Sequence, residues 1–94
     1  MNRKIDSKFS TDGERIFNTV SGNVIPDDEP LFLLRARDRN SIPILQSYLA
    51  ICAGDGCNVL HLAGIKQCIA RFEHYQEKHP DLLKQPGSSR HLKL

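Results

Sequence analysis

The sequence predicts a mainly α fold, in which a short leading element is followed by an antiparallel helical hairpin. Residues 58–79 repeat apolar side chains at spacings of three and four over four turns, which is typical of an amphipathic helix. Residues 42–53 form a second such stretch, with Pro43 in the first turn, where its missing N–H costs nothing. A short glycine-rich turn at residues 54–56 joins the two, which favours antiparallel packing.

Both ends of the chain are predicted to lie outside this helical domain. Residues 1–14 are polar with isolated apolar residues and no period, so we expect a flexible N-terminal arm. Residues 81–94 contain a Pro-Gly-Ser-Ser run and predict a flexible C-terminal tail, leaving a single domain over residues 15–80. Within residues 15–25 a short helix and a strand remain alternatives, with a turn expected at residues 21–23.

Length and composition restrict the class of protein. A chain of 94 residues makes one small domain, which is marginally stable alone and favours a homo-oligomer. A net charge of +2 with 26% charged residues is too balanced to indicate a dedicated nucleic-acid or membrane-surface protein. No apolar run suits a membrane span or a secretory signal, so we expect a cytoplasmic protein whose three cysteines stay as thiols.

The most distinctive stretch is residues 26–39, hereafter the 26–39 block. It opens with two prolines that bracket three carboxylates, in the order Pro26, Asp27, Asp28, Glu29 and Pro30. Consecutive carboxylates diverge and cannot converge on one metal ion, and a calcium loop needs alternating ligands over about 12 residues. We expect them to interact with the dipole of a following helix or to pair with the arginines downstream.

Residues 31–36 form a short, largely apolar run that is compatible with either a helix or a strand. Pro30 suits the first position of a helix, and the near absence of β-branched residues favours a helix over a strand. The alternative is an α+β fold in which residues 31–36 form a strand.

Arginines follow this run at alternate positions, Arg35, Arg37 and Arg39. If extended, the chain would place all three on one side, where they could contact phosphates. The C-terminal tail would add further cations, namely Lys84, Arg90, His91 and Lys93. Because Asp38 interrupts the series and carboxylates precede it, a solvated and salt-bridged face is the preferred interpretation.

Cysteine and histidine residues near the hairpin turn do not make a metal site. Cys52, Cys57 and His61 are close in sequence, but Cys68 lies ~16 Å along the helix from Cys57, too far for a shared zinc ion. Such a site would lack a fourth ligand, so we expect no metal and no cofactor. Cys57 near a helix N-terminus could form a thiolate, but so short a chain offers no enclosed cleft. We therefore predict no catalytic residues, with Cys52 and Cys68 packed as small apolar side chains.

The block resembles a motif of small uncharacterised bacterial and phage-type proteins. Residues 25–38 read IPDDEPLFLLRARD and fit the pattern I-P-x-x-E-P-x-F-L-L-R-A-x-D. Tyr48 and the pair Tyr75-Gln76 match aromatic positions of the helices that follow in those proteins. The resemblance implies a shared architecture and is compatible with a mobile-element setting. It implies no activity.

These observations predict a non-enzymatic protein-interaction module with an unidentified protein partner. In a mobile-element setting it would modulate or inhibit a host complex. The expected contact residues are the charged ones of the block, namely Asp27, Asp28, Glu29, Arg35, Arg37 and Arg39. The alternative is a weak nucleic-acid-binding accessory protein that uses the three arginines and the basic tail.

Overall fold

The computed structural model describes residues 1–85 and has a small α+β architecture. Three short strands come first: β1 (Arg3–Lys4), β2 (Phe9–Thr11) and β3 (Ile16–Asn18). Two helices follow, α1 (Ser41–Gly54) and α2 (Val59–Lys78), and then a single 3-10 turn, Pro80–Leu82. The prediction of a mainly α fold is wrong, because the strands lie where an arm and a leading element were expected.

The chain divides into two compact units, Met1–Leu33 and Leu34–Leu94. The first unit contains the three strands and the second contains both helices. The sequence predicts one domain over residues 15–80 between two flexible ends. Most of the predicted tail, residues 86–94, lies outside the described residues.

The first unit is an antiparallel sheet in the order β1-β2-β3. Ser10 lies at its centre, opposite Lys4 on one side and Phe17 on the other. The Ser10 side chain is buried, and its Oγ lies 2.7 Å from the Thr19 Oγ1. Among the described residues of this unit, apolar side chains such as Phe9 and Phe17 are at most partly buried, so hydrogen bonds supply a large share of its stability.

Polar side chains six residues apart close the turns of this sheet. In each turn one side-chain oxygen accepts the backbone N–H groups two and three residues further on, an arrangement that replaces a backbone turn. The three acceptors are Asp6, Asp12 and Asn18. The turn expected at residues 21–23 is confirmed, with Gly22 at a φ of 76°.

The β2–β3 turn holds an ion pair as well. The Arg15 guanidinium donates to Asp12 Oδ2 through Nη2 at 3.0 Å and Nε at 3.2 Å. Gly13 occupies the turn with a φ of 101°, a conformation that side chains disfavour. The backbone N–H groups of Arg15 and Glu14, followed by the guanidinium, lower the pKa of Asp12 from 3.8 to about 2.

This turn predicts a specific acid response. Because the folded-state pKa of Asp12 is lowered, its contribution to stability is complete above pH 3.8 and is lost as the pH falls through about 2. An NMR titration of the Asp12 carboxyl should therefore give a midpoint near 2. In Arg15→Ala the midpoint should rise only part of the way to 3.8, since the backbone donors remain. Complete relaxation in that variant would show that the guanidinium is the main cause.

Helix α1 starts and ends through defined backbone contacts. The Ser41 Oγ donates to the Asp38 carbonyl at 2.7 Å, and Ser41 is fully buried. At the other end, the N–H of Gly56 bonds to Ala53 and that of Cys57 to Cys52, the pattern of a Schellman motif. Gly56, with a φ of 74°, is thus the residue after the helix that adopts the left-handed conformation. Gly54, the other glycine of this turn, is the last helical residue.

Helix α2 packs against α1 in the predicted antiparallel hairpin, and both helix boundaries lie within one residue of the expected ones. Its start is capped by Asn58, whose Oδ1 accepts the His61 N–H at 2.8 Å. The buried apolar residues of the described chain all lie between these helices, namely Cys52, Ile65 and Ile69. Partly buried side chains surround them: Ile42, Leu45, Leu49, Cys57 and Leu62.

The amide of Gln76 connects the end of α2 to the chain that enters α1. Its Nε2 donates to the carbonyls of Ala36 at 2.9 Å and Asp38 at 3.2 Å, and lies 3.5 Å from the Ser41 Oγ. Lys84 adds a second connection, since its N–H donates to the Arg37 carbonyl at 2.8 Å. Gln76 and Lys84 thus fix the segment that leads into α1, although they lie about forty positions further along the chain.

Replacing Gln76 with alanine should therefore destabilise the helical unit. The change leaves two partly buried carbonyls without their donor, which costs about 1–2 kcal/mol of unfolding free energy. Urea unfolding followed by circular dichroism measures this loss. Gln67→Ala, at an exposed position of α2, controls for the change in helix propensity and should leave the midpoint nearly unchanged. Equal midpoints in both variants would contradict the anchoring role.

Candidate interaction surface

The 26–39 block forms neither the expected helix nor the alternative strand. Residues 31–35 have no regular secondary structure, and no helix starts before Ser41. A turn occupies residues 26–29, where the Glu29 N–H donates to the Pro26 carbonyl at 3.1 Å. A second turn follows, closed by the Asp38 N–H and the Arg35 carbonyl at 3.0 Å.

The three carboxylates of the block are exposed on the first turn. Asp27, Asp28 and Glu29 form no ion pair with any cation among residues 1–85. Their expected interaction with a helix dipole is wrong, because the segment that follows them is not helical. They remain solvated negative charges next to the apolar run.

Three consecutive large apolar side chains are exposed after this turn. The exposed fractions are 57% for Leu31, 85% for Phe32 and 73% for Leu33. Within residues 1–85, no hydrogen bond involves the backbone of these residues or of Leu34. The segment therefore presents both apolar side chains and unbonded main-chain groups.

The chain turns between the arginines, so the extended arrangement that would place all three on one side is not formed. Arg35 and Arg39 are exposed, whereas Arg37 is half-buried. The backbone around Arg37 and Arg39 is bonded to Lys84, in an isolated parallel bridge between Asp38 and Lys84. The proposed extension of a basic patch to Arg90, His91 and Lys93 lies outside the described residues.

Near the hairpin turn, His61 clusters with Cys52 and Tyr48. The sequence pattern draws attention to Cys52, Cys57 and His61. His61 Nε2 lies 3.9 Å from the Cys52 Sγ and 3.5 Å from the Tyr48 Oη. The Tyr48 and His61 rings meet edge to face, with centroids 6.2 Å apart. Histidine thus contacts a buried thiol and a phenol on α1. None of the three cysteines, all in the described chain, forms a disulfide.

The surroundings of the thiol at the hairpin turn disfavour its ionisation. Partial burial raises the pKa of Cys57 from its ordinary value, and the neighbouring Cys52 thiol and Asp55 carboxylate raise it further. A catalytic thiolate needs the opposite shift. The same Cys52 thiol raises the pKa of Tyr48 above 10.0.

Alkylation kinetics test this conclusion. The rate at which iodoacetamide modifies Cys57, measured by peptide mass spectrometry, should be low at pH 7 and should still be rising at pH 9, because the thiol remains protonated. Asp55→Asn should shift the profile to lower pH, since it removes one of the causes of the raised pKa. A midpoint below pH 8 in the unmodified protein would contradict this prediction.

Helix α1 carries exposed apolar side chains besides those that pack into the core. The helix contains no charged residue, and Leu45, Leu49 and Cys52 provide its side of the core. Ile44 and Tyr48 are exposed together with Ile51. The sequence could have indicated this from the absence of charge, since an ordinary surface helix carries charges opposite its buried face.

A shallow depression of about 430 Å³ runs along the outer face of α2. Arg71, His74 and Lys78 recur along it at helical spacing, beside a contact between the Tyr75 and His79 rings with centroids 4.7 Å apart. It lies on the surface of one helix.

No protein-family model, curated protein or solved structure matches this chain. The resemblance of the 26–39 block to bacterial and phage-type proteins therefore stays a prediction. Neither helix of the described chain combines the length and apolar character needed to span a membrane. Among residues 1–85, no three histidine, cysteine or acidic side chains are grouped as metal ligands would be.

Proposed function

We propose that this protein is a non-enzymatic interaction module that presents residues 31–34 to a protein partner. The observation that carries the proposal is the exposure of three adjacent large side chains, Leu31, Phe32 and Leu33. Single exposed apolar residues are common on protein surfaces, but contiguous apolar patches usually mark interaction sites.

The unbonded backbone of the same residues supports this role. An extended peptide can add a strand to an exposed sheet edge, where main-chain hydrogen bonds give affinity and alternate side chains give specificity. Residues 31–34 have free main-chain donors and acceptors within the described chain. The turn closed by Pro26 and Glu29 precedes them, and the turn closed by Arg35 and Asp38 follows them.

Charge flanks the apolar segment with opposite signs. Exposed carboxylates precede it and exposed arginines follow it. Such flanking charges steer a partner and fix its orientation more than they add affinity. In the mobile-element setting suggested by the resemblance, the module would modulate a host complex.

A matched pair of surface variants tests this proposal. Phe32 and Leu60 are equally exposed, at 85% and 84%, but only Phe32 lies in the segment. In pull-downs from cells of the source organism at low salt, with and without nuclease, Phe32→Ser should lose the captured partner, because the partner buries that ring. Leu60→Ser should retain it.

The nucleic-acid alternative gives a different result in the same assay. Capture that is abolished by nuclease, and lost in an Arg35→Ala, Arg37→Ala, Arg39→Ala triple variant but not in Phe32→Ser, would favour nucleic acid. Equal capture by Phe32→Ser and Leu60→Ser after nuclease treatment would contradict the role of the segment.

A further inference from the structure

We propose that the partner of residues 31–34 is a second copy of this chain, paired antiparallel about a two-fold axis at Phe32. This inference rests on the proposed function, because it uses the same segment and names its occupant. A two-fold interface needs a surface that is complementary to itself. The charge pattern around Phe32 meets that requirement.

The charges reverse sign at Phe32. The acidic residues Asp27, Asp28 and Glu29 precede it, and the basic residues Arg35, Arg37 and Arg39 follow it. A two-fold axis reverses the direction of the second copy, so that each acidic end meets a basic end. A parallel arrangement would instead place like charges together, which is destabilising.

One register satisfies both the apolar and the charged positions. With Phe32 opposite Phe32 of the second copy, Leu31 lies opposite Leu33, and Glu29 lies opposite Arg35. Alternation along a strand places these four residues on one face. A slip of one residue would set Glu29 opposite Ala36 and lose the charge match.

The proline at the start of the segment fits the same register. If the two Phe32 residues form a non-hydrogen-bonded pair, Leu31 and Leu33 exchange N–H···O bonds with the second copy. Pro30 then occupies a non-bonded position opposite Leu34, where its missing N–H costs nothing. The Glu29 N–H keeps its bond to the Pro26 carbonyl.

The pairing is short, so the dimer should be weak and sensitive to salt. Two-stranded ribbons are marginally stable in water, and interfaces below about 1,200 Å² are usually transient. The charge pairs are exposed, and their interaction is screened over ~3 Å at 1 M salt against ~10 Å at 0.1 M. Dimerisation should therefore be favoured at high protein concentration and low ionic strength.

Charge reversal provides the decisive test by sedimentation equilibrium at low salt. The wild-type mass should rise from one chain to two with concentration. Glu29→Arg and Arg35→Glu should each weaken this association about tenfold or more, because like charges then face each other. Mixing the two variants, or combining both changes in one chain, should restore dimers, since opposite charges face each other again.

A charge reversal elsewhere and a local readout complete the experiment. Glu73→Arg, at an exposed position of α2, should dimerise like the wild type and so controls for net charge. In NMR hydrogen exchange at high concentration, the amides of Leu31 and Leu33 should slow while that of Phe32 does not.

Two results would overturn the inference: a wild-type chain that stays monomeric at millimolar concentration and low salt, or variants that do not associate when mixed. If the wild type is monomeric but Phe32→Ser still loses a captured protein, the proposed function stands with a different occupant. If Phe32→Ser changes neither dimerisation nor capture, both proposals fail.

Discussion

The hydrogen bonds of the Gln76 amide are the constraint on which the helical unit depends. Packing between α1 and α2 buries few apolar side chains, so it fixes the hairpin less firmly than a larger core would. Gln76 supplies what packing does not, because it holds the carbonyls of Ala36 and Asp38 near the end of α2. The entry to α1 is thereby fixed.

The helices were predictable from sequence because several independent signals agree. The stripe containing Ile65 and Ile69 continues over enough turns to exclude a strand, and Asn58 and Pro80 mark the ends of the helix. The finer details were not predictable from pattern alone. Gly54 and Gly56 both suit a helix C-terminus, and only the backbone bonds of the Schellman motif distinguish them.

The sheet escaped prediction because its strands are two or three residues long, too short to show an alternating pattern. Its signal lies in the turns, in the regular recurrence of Asp6, Asp12 and Asn18. The charged residues of the candidate surface were identified from sequence, but their surroundings were not. An acidic turn and a proline precede Leu31, which is a typical start of a helix. Helix propensity nevertheless does not determine the structure of so short a segment.

A sheet held by polar turns has a consequence for how the protein responds to temperature. The heat-capacity change on unfolding arises mainly from newly exposed apolar surface. The apolar side chains described in the first unit are at most partly buried, whereas the helical unit almost fully buries Cys52, Ile65 and Ile69. Opening the sheet should thus carry a small heat-capacity change and a nearly linear free energy against temperature. The free energy of unfolding of the helices should depend on temperature with more curvature. Calorimetry would therefore distinguish the two units by the shape of their unfolding transitions as well as by the midpoint temperatures.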